Sequence, residues 1–396
     1  MPMRVATRQT LPMPKPPDPR RVTAVSLVTM VAAVAPVHLF GALAPKIQAD
    51  LGFGDTMQGI AVGVFFAVAT GFSIWGGALT DRIGPSPALR IAAAATAAGG
   101  LVALVSPGYA VIVIALVLAA VGNGISQPGN NTFISGGVPT HRRGVALGVK
   151  QAAIPVSTAL AGLSLPLIGE SIGWRWAYVF AIALALVAMV VIPHVEPPAK
   201  RQTLKQSRSF SPSRALRLVT IASGFGAAAV SSIGAFLVRS AQDAGFSVSG
   251  AGYLQVAGSV ALISTRVGWG ALMDRIDVSR FGFSTVLMVV GGFGFPLLAT
   301  GNHSLMVAGA VLAYGAAWSW PGVVHLGTVE HHPHATGAAS GIVQAGMFTG
   351  AMTGPVMFGI IADHASFGWA WMLSAVFIAV AAVMMAVATI EFRGPQ

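Results

Sequence analysis

The sequence predicts an all-α membrane protein in which twelve transmembrane helices form two parallel six-helix repeats. Three observations predict this fold class. Only 9% of the 396 residues are charged, 55% are hydrophobic, and the mean hydropathy is +0.75. Apolar stretches of roughly 20 residues, the length that crosses a bilayer, take up nearly the whole chain. The heptapeptide GALTDRI, which starts at Gly77, returns 193 positions later as GALMDRI, which starts at Gly270.

The composition indicates that lipid is the second solvent of this protein. A soluble domain carries about 25% charged residues and needs them to cover its surface. A net charge of +11 would suggest nucleic-acid binding in a soluble protein, but the positions of the charges, given below, explain it otherwise. The chain has no cysteine, so disulfides, zinc–thiolate sites and cysteine nucleophiles are excluded.

The apolar stretches divide the chain into two halves of six spans each. The tail at 1–21 is basic and rich in proline, and the linker at 194–213 is basic and rich in proline and serine. The N-terminal half is 22–193, the C-terminal half is 214–390, and 391–396 form a short C-terminal tail. We number the predicted spans 1 to 12 in chain order, at residues 22–45, 57–79, 88–106, 109–131, 145–169, 174–193, 214–238, 250–272, 282–300, 303–326, 337–362 and 368–390.

Lysine and arginine set the predicted orientation, because they concentrate on the cytoplasmic side of membrane proteins. With the N-terminus inside, the cytoplasmic segments hold 18 of the 23, and the outer segments hold Lys46, Arg175 and Arg239. The remaining two, Lys150 and Arg266, fall within spans. We therefore expect a multi-pass protein of the bacterial inner membrane with both termini in the cytoplasm. This placement accounts for the basic charge without nucleic acid.

The repeated heptapeptide belongs to a repeat that covers both halves. At the same offset of 193 residues, Gly122 falls on Gly315 and Pro128 falls on Pro321. Each copy contains six spans, so both copies have the same orientation in the membrane. Halves related in this way enclose a binding site near the middle of the bilayer.

The loop between spans 2 and 3 reads G-x-L-x-D-R-x-G, and on this motif the chain resembles the major facilitator superfamily of transporters. The motif residues are Gly77, Asp81, Arg82 and Gly84 in the first copy and Gly270, Asp274 and Arg275 in the second. The resemblance implies that Asp81 meets the start of span 11 and Asp274 the start of span 5, which holds the cytoplasmic side closed. A helix N-terminus attracts a carboxylate by about 0.3–1 kcal/mol. The alternative is that each Asp-Arg pair only anchors its loop at the lipid headgroups.

Candidate substrate residues are expected to break the repeat, because the scaffold is duplicated and a substrate is asymmetric. Asn123, Gln127 and Asn130 are spaced to share one face of span 4, where they either bind substrate or join helices. The candidates selected by this rule are His38, Asn123, Gln127, Asn130, Lys150 and Arg266, each of which has a different residue 193 positions away.

Arg266 and Lys150 are the interior cations, about 12 Å and 9 Å from the cytoplasmic ends of their helices at 1.5 Å per residue. An intramembrane charge marks a functional site by default. The resemblance makes spans 5 and 8 neighbours, so both cations would lie beside the transport pathway. The alternatives are a bond from Arg266 to backbone carbonyls and snorkelling of Lys150 to the headgroups. No acidic residue lies in the middle of a predicted span, which favours an anion as substrate.

His38 either carries a coupling proton or is a hydrogen-bonded histidine that does not titrate. The stretch Ala44-Pro45-Lys46 is similar to the Pro-Lys of span 1 in monocarboxylate transporters. Span 8 of those transporters also carries a substrate-facing arginine, a role that the resemblance implies for Arg266.

Enzyme motifs are missing from the sequence. No Gly-Lys dipeptide is present, which excludes a phosphate-binding P-loop, and neither H-E-x-x-H nor G-x-S-x-G occurs. We expect no cofactor and no metal. The predicted function is secondary active transport of a small organic anion, monocarboxylate-like, by a monomer using alternating access and a coupling proton or counter-solute. The alternatives are a proton-coupled drug or sugar efflux transporter, a membrane sensor and a membrane enzyme.

Overall fold

The computed structural model describes residues 18–195, 211–273, 278–332 and 335–392. Within these ranges the chain is helical, contains no strand, and confirms the predicted all-α fold. Eleven of its helices are long and apolar enough to cross a membrane. The helix Val248–Met273, with 26 residues, supplies the remaining span.

The helices coincide with the twelve predicted spans and mostly extend beyond them. A short helix, Ala44–Leu51, follows span 1 after a break at Leu43. Helices outrun the apolar stretches because polar residues continue them into the headgroup region. In chain order the spans are Pro19–Ala42, Asp55–Ile83, Pro85–Leu104, Tyr109–Gly137, Thr140–Gly169, Trp174–Val191, Arg214–Asp243, Val248–Met273, Arg280–Ala299, His303–His331, Thr336–His364 and Phe367–Glu391.

The two faces of the bundle are named here by their position along the chain. The proximal face carries the start of span 1 at Pro19 and the end of span 12 at Glu391. The distal face is the opposite one, where the chain turns between spans 1 and 2, 3 and 4, and 5 and 6, and likewise in the C-terminal half. The repeat is visible in the helix bounds, because the offset carries Tyr109–Gly137 onto residues 302–330, and span 10 is His303–His331.

Spans 5, 9 and 10 are interrupted, although the sequence prediction gave each as one stretch, and span 9 breaks at Phe293. Proline is the cause in span 5, because Pro155 has no N–H to donate to the carbonyl of Gln151. In span 10 the break at Trp318 and Ser319 separates a π turn from a second helical segment. The segments are Arg143–Gln151, Ala153–Ser164 and Leu165–Gly169 in span 5, and His303–Leu312, Ala313–Ala317 and Trp320–His331 in span 10.

Spans 2 and 11 touch at the distal face and separate toward the proximal face. A Cβ placed on Gly59 would lie 2.2 Å from the carbonyl oxygen of Pro355, so only glycine permits this approach. About five turns further along the same side of span 2, the nearest atom to a Cβ on Gly77 is in Pro128 of the same half, at 3.9 Å. In span 11, Gly341 likewise faces open space.

Spans 5 and 8 show the same divergence. Near the distal face a Cβ on Gly162 would lie 2.8 Å from the carbonyl oxygen of Gly252. About four turns earlier on the same side of span 5, nothing lies within 4 Å of a Cβ placed on Gly148. The two halves therefore close the distal face and leave a cavity that opens at the proximal face.

Candidate functional site

Arg266 connects three helices through backbone carbonyls. Its Nη1 donates to the carbonyl of Gln151 in span 5, at 2.8 Å, and its Nη2 donates to the carbonyl of Trp318 in span 10, at 3.2 Å. Both carbonyls lie at helix breaks, and Pro155 leaves that of Gln151 without its usual helical donor. The guanidinium thus joins span 5 to span 10 at their breaks, and these spans belong to different halves.

The bonds of Arg266 match the structural alternative of the sequence analysis, but they do not use up the side chain. A guanidinium has five N–H donors, and these two bonds leave about three free. Carbonyls are neutral, and Arg266 makes no ion pair with any acidic residue of the described ranges. Its positive charge therefore has no counter-ion in the part of the chain that the structure describes.

Lys150 is the second interior cation and is only 4% exposed. Its Nζ donates to Oε1 of Gln127, at 3.1 Å, and to Oδ1 of Asn131, at 2.8 Å. These amide oxygens are also neutral, and Lys150 is absent from every ion pair among the described residues. Lys150 immediately precedes Gln151, whose carbonyl binds Arg266, so both cations are attached to the same break in span 5.

Asn131 is a partner that sequence reasoning missed. It lies four residues after Gln127, one helical turn further on, and that spacing was available in the sequence. Its counterpart in the repeat is Val324, so the rule that substrate residues break the repeat also selects it.

The three predicted polar residues of span 4 face different neighbours. Gln127 points to Lys150, whereas Oδ1 of Asn130 accepts from the hydroxyl of Thr29 in span 1, at 2.9 Å. Asn130 thus joins two helices of the same half. Asn123 is 6% exposed and has no hydrogen-bond partner in the part of the chain that the structure describes. The structure therefore brings only Gln127 of the three to the interior cations.

His38 lies deeper, at a small pocket between the halves. Its Nδ1 is 2.9 Å from the hydroxyl oxygen of Ser157 in span 5, and the residue is 7% exposed. The pocket has a volume of about 30 Å³, and its wall is mostly apolar, with Val62 and Phe66 of span 2 among its residues. The side chain of Trp318 also lines it, so the residue whose carbonyl binds Arg266 adjoins His38 as well.

His325 is a second missed residue, on the C-terminal side of the cavity. Its Nδ1 is 2.9 Å from the carbonyl oxygen of Pro321, and the side chain of Gln344 in span 11 lies close to its ring. It lies within electrostatic range of Lys150. Its counterpart in the repeat is Thr132, so the repeat-breaking rule would have found it.

Residues 24–332 and 219–393 match the family model of the Major Facilitator Superfamily. This chain belongs to the major facilitator superfamily. A putative tartrate transporter of Agrobacterium vitis is 22% identical over 380 residues, which cover 87% of this chain and 84% of that protein. The resemblance that the sequence motif suggested is confirmed.

Two solved structures of transporters share the fold of this superfamily member. One is a bacterial homolog of the human lysosomal transporter Spinster in an inward-facing, unoccupied conformation, with a TM-score of 0.74, 14% identity, and coverage of 96% of this chain and 99% of that chain. The other is a D-xylose-proton symporter, with a TM-score of 0.76, 17% identity, and coverage of 92% and 97%. This chain is therefore a multi-pass membrane transporter and not an enzyme.

The superfamily motif between spans 2 and 3 lies at the proximal face. Asp81 and Arg82 are exposed and take part in no hydrogen bond or ion pair with the described residues. Nothing lies within 4 Å of a Cβ placed on Gly337, at the start of span 11. The contact implied for Asp81 is thus not made in this open state, in which the proximal ends of the halves are apart.

The structure describes Gly84 of the first copy of the motif and only part of the second copy. Gly84 has a φ of +86°, which favours glycine, and it ends span 2. In the second copy, Asp274 and Arg275 lie outside the described residues, and so does the side-chain environment of Gly270. Within the described ranges no three His, Cys, Asp or Glu side chains are grouped to hold a metal ion.

Proposed function

We propose that this transporter moves a small organic anion, a monocarboxylate-like metabolite, by alternating access between its two halves. One observation carries the proposal. Lys150 of the N-terminal half and Arg266 of the C-terminal half are interior cations held at the same break in span 5, and their described partners are all neutral. A carboxylate that binds both of them would tie the halves together through its own charge.

The energetics favour a negative substrate over a neutral or positive one. Removing a charge from water costs several kcal/mol even after the protein relaxes. A carboxylate about 4 Å from one of these cations would gain about 4 kcal/mol at an effective dielectric constant of 20. A cationic drug would meet a repulsion of the same size. Arg266 also retains donors for the two parallel hydrogen bonds that a guanidinium can give to a carboxylate.

The small volume of the pocket beside His38 supports a small substrate. A buried water occupies about 10–15 Å³ by the same measure, so the 30 Å³ of this pocket accommodates about two non-hydrogen atoms. Trp318 adjoins both the pocket and the guanidinium of Arg266. We therefore assign the carboxylate to the cation pair and a short apolar end of the substrate to the pocket.

The second candidate function is proton-coupled sugar or drug efflux. A D-xylose-proton symporter has the same fold, and the buried ring of His38 at the pocket is the observation that favours a coupling proton. A neutral sugar would leave both interior cations without a counter-ion, so the anion is the better substrate. A coupling proton or a counter-solute remains compatible with either substrate, and we propose that the protein works as a monomer.

We further propose that the proximal face lies in the cytoplasm of a bacterium, on the distribution of lysine and arginine. The structure would then be inward-facing. Asp81 and Asp274 would cap the starts of spans 11 and 5 once the cytoplasmic side closes. Single cysteines at Ser211 and Ser304 test this orientation, because an impermeant reagent should label only Ser304→Cys from outside intact cells.

The anion site is tested by calorimetry on the purified transporter, with a carboxylate found by a thermal-shift screen. Arg266→Ala should weaken binding at least about 30-fold, because truncating one partner of a buried charge pair costs 2 kcal/mol or more. Arg266→Lys should weaken it about tenfold, since lysine keeps the charge and loses the planar fork. Unchanged affinity in Arg266→Ala would refute the site.

Two variants separate binding from folding. Arg143→Ala is the matched control, because Arg143 also donates to two backbone carbonyls, those of Val138 and Ser135, at the proximal loop. It should bind like the parent. Arg266→Gln keeps N–H donors for the carbonyls and removes the charge, so it should fold like the parent, by its melting curve, and still lose the anion.

A further inference from the structure

Two carboxylates at the distal face are related by the internal repeat. Asp363, near the end of span 11, accepts from the backbone N–H of Asp55, at 2.9 Å, and from that of Thr56, at 2.6 Å. Glu170, which follows span 5, accepts from the hydroxyl of Ser249 at the start of span 8, at 2.9 Å. The offset of 193 residues carries Glu170 onto Asp363 and Thr56 onto Ser249.

Both contacts cross between the halves, and each half supplies the carboxylate of one contact. Asp363 belongs to the C-terminal half and binds the N-terminus of span 2, whereas Glu170 belongs to the N-terminal half and binds the first turn of span 8. The first N–H groups of a helix lack intrahelical acceptors and attract a negative charge. The two contacts therefore occupy equivalent positions of the repeat but use different donors, two backbone N–H groups for Asp363 and one side-chain hydroxyl for Glu170.

The backbone around Asp363 is shaped for this contact. A Cβ placed on Gly54, just before span 2, would lie 3.0 Å from Oδ2 of Asp363. One turn earlier in span 11, a Cβ on Gly359 would lie 2.3 Å from the carbonyl oxygen of Asp55. Glycine at both positions allows the end of span 11 to lie against the start of span 2.

Other charged groups surround this contact. The carboxylate of Asp55 accepts from Nε2 of Gln48, at 2.8 Å, and is 3.5 Å from Nε of Arg239 in span 7. Asp243, at the end of span 7, acts electrostatically on Asp55, and His364 acts on Asp363. Asp55 and His364 are thus the neighbours whose titration must be separated from that of Asp363.

We propose that Asp363 and Glu170 form a paired latch that holds the distal face closed, and that protonation of Asp363 releases the stronger part of it. The contact needs an ionised carboxylate that accepts two N–H bonds at once, because a protonated carboxyl group loses charge and acceptor capacity. A proton that binds better to the released carboxylate must, by linkage, favour the distal-open state. The latch is present at neutral pH and is lost on acidification. It concerns the transport cycle and does not depend on which substrate is carried.

The test measures distances across the distal face in the full chain reconstituted in lipid. Spin labels are attached to Val105→Cys and Ser304→Cys, which are exposed at the distal face of opposite halves and away from both carboxylates. The parent should show one short-distance population at neutral pH. It should gain a longer population as the pH falls below about 4, the ordinary range of an aspartate, because the two N–H bonds favour the ionised carboxylate.

Variants of the two carboxylates should differ in their distance distributions across the distal face. Asp363→Asn should show the longer population already at neutral pH and no further increase on acidification. Glu170→Gln should give a smaller shift, and the double variant the largest. Asp50→Asn is the matched control, because Asp50 also lies at the distal face but binds Trp174 and Arg175 of its own half. It should behave like the parent.

Two further variants test the latch without removing its carboxylates. Gly54→Ala leaves every charge in place and pushes the carboxylate of Asp363 from the helix start, so it should shift the population like Asp363→Asn even if that variant folds poorly. His364→Gln should keep the pH response of the parent. The latch is overturned if Asp363→Asn and Gly54→Ala both keep the parent distribution at neutral pH. Its proton control is overturned if Asp363→Asn keeps the parent's response to acid.

Discussion

At the scale of single residues, the two interior cations are held by dipoles and not by opposite charges. Arg266 is oriented by two carbonyl oxygens, and Lys150 by two amide oxygens. Such partners fix the direction of a side chain without neutralising its charge. An empty site of this kind lowers the stability of the protein in exchange for a strong response to an anion, which is a common relation between function and stability.

This relation predicts that Lys150→Met stabilises the ligand-free protein and weakens carboxylate binding. Methionine fills a similar volume without a charge, so the variant should raise the melting temperature of the ligand-free protein by a few degrees, the effect of about 1 kcal/mol. The same variant should weaken carboxylate binding about tenfold. Thermal unfolding with and without the carboxylate measures both effects.

The control for Lys150→Met is Lys46→Met, at a lysine in the short helix Ala44–Leu51 near the distal face. Its melting temperature and affinity should stay close to those of the parent. A Lys150→Met variant that is less stable than the parent and binds the carboxylate equally well would show that Lys150 is a packing residue.

The sequence could predict which residues are special but not what they contact. Arg266 and Lys150 stand out because their repeat counterparts, Ser73 and Val343, are uncharged. Nothing in the sequence specifies that the carbonyl of Trp318 binds Arg266, because a backbone acceptor carries no side-chain signature. Asn130 satisfied the spacing rule for span 4 but faces Thr29, since a helix buried on several sides has more than one polar neighbour.

At the scale of secondary-structure elements, the breaks in spans 5 and 10 place the site. An uninterrupted helix would use the carbonyl of Gln151 internally and leave Arg266 without one of its two anchors. The apolar pattern predicted where these spans begin and end, because the length and hydropathy of an apolar stretch determine the ends of a transmembrane helix. It did not predict the breaks, because a π turn and a proline change the hydrogen bonding without changing the hydropathy.

Pro155→Ala tests the role of the break in span 5. Alanine restores an N–H that can bond the carbonyl of Gln151 within the helix, in competition with Arg266. We expect an equal or higher melting temperature and a carboxylate affinity several-fold lower, because the guanidinium loses an anchor. Calorimetry and a melting curve measure the two quantities. An affinity equal to that of the parent would mean that the break does not position Arg266.

At the scale of the whole molecule, the structure is closed at the distal face and open at the proximal face. The twelve spans and the repeat were predictable, because both follow from hydropathy and from identities at one fixed offset. The conformational state could not be predicted from the sequence. The helices of an alternating-access transporter are the same in each state, and only the contacts between them change. Asp81 shows this limit, since the partner that we propose for it at the start of span 11 would be available only when the proximal face closes.

The central claim is that the cavity selects a negative charge, and the most direct measurement compares an acid with its own amide. Calorimetry on the purified transporter with a short monocarboxylate and the matching primary amide keeps size and shape nearly equal. We expect the acid to bind at least about 30-fold more tightly, a difference of about 2 kcal/mol, and the two affinities to converge in Arg266→Ala. Equal affinities in the parent, or tighter binding of the amide, would contradict the account.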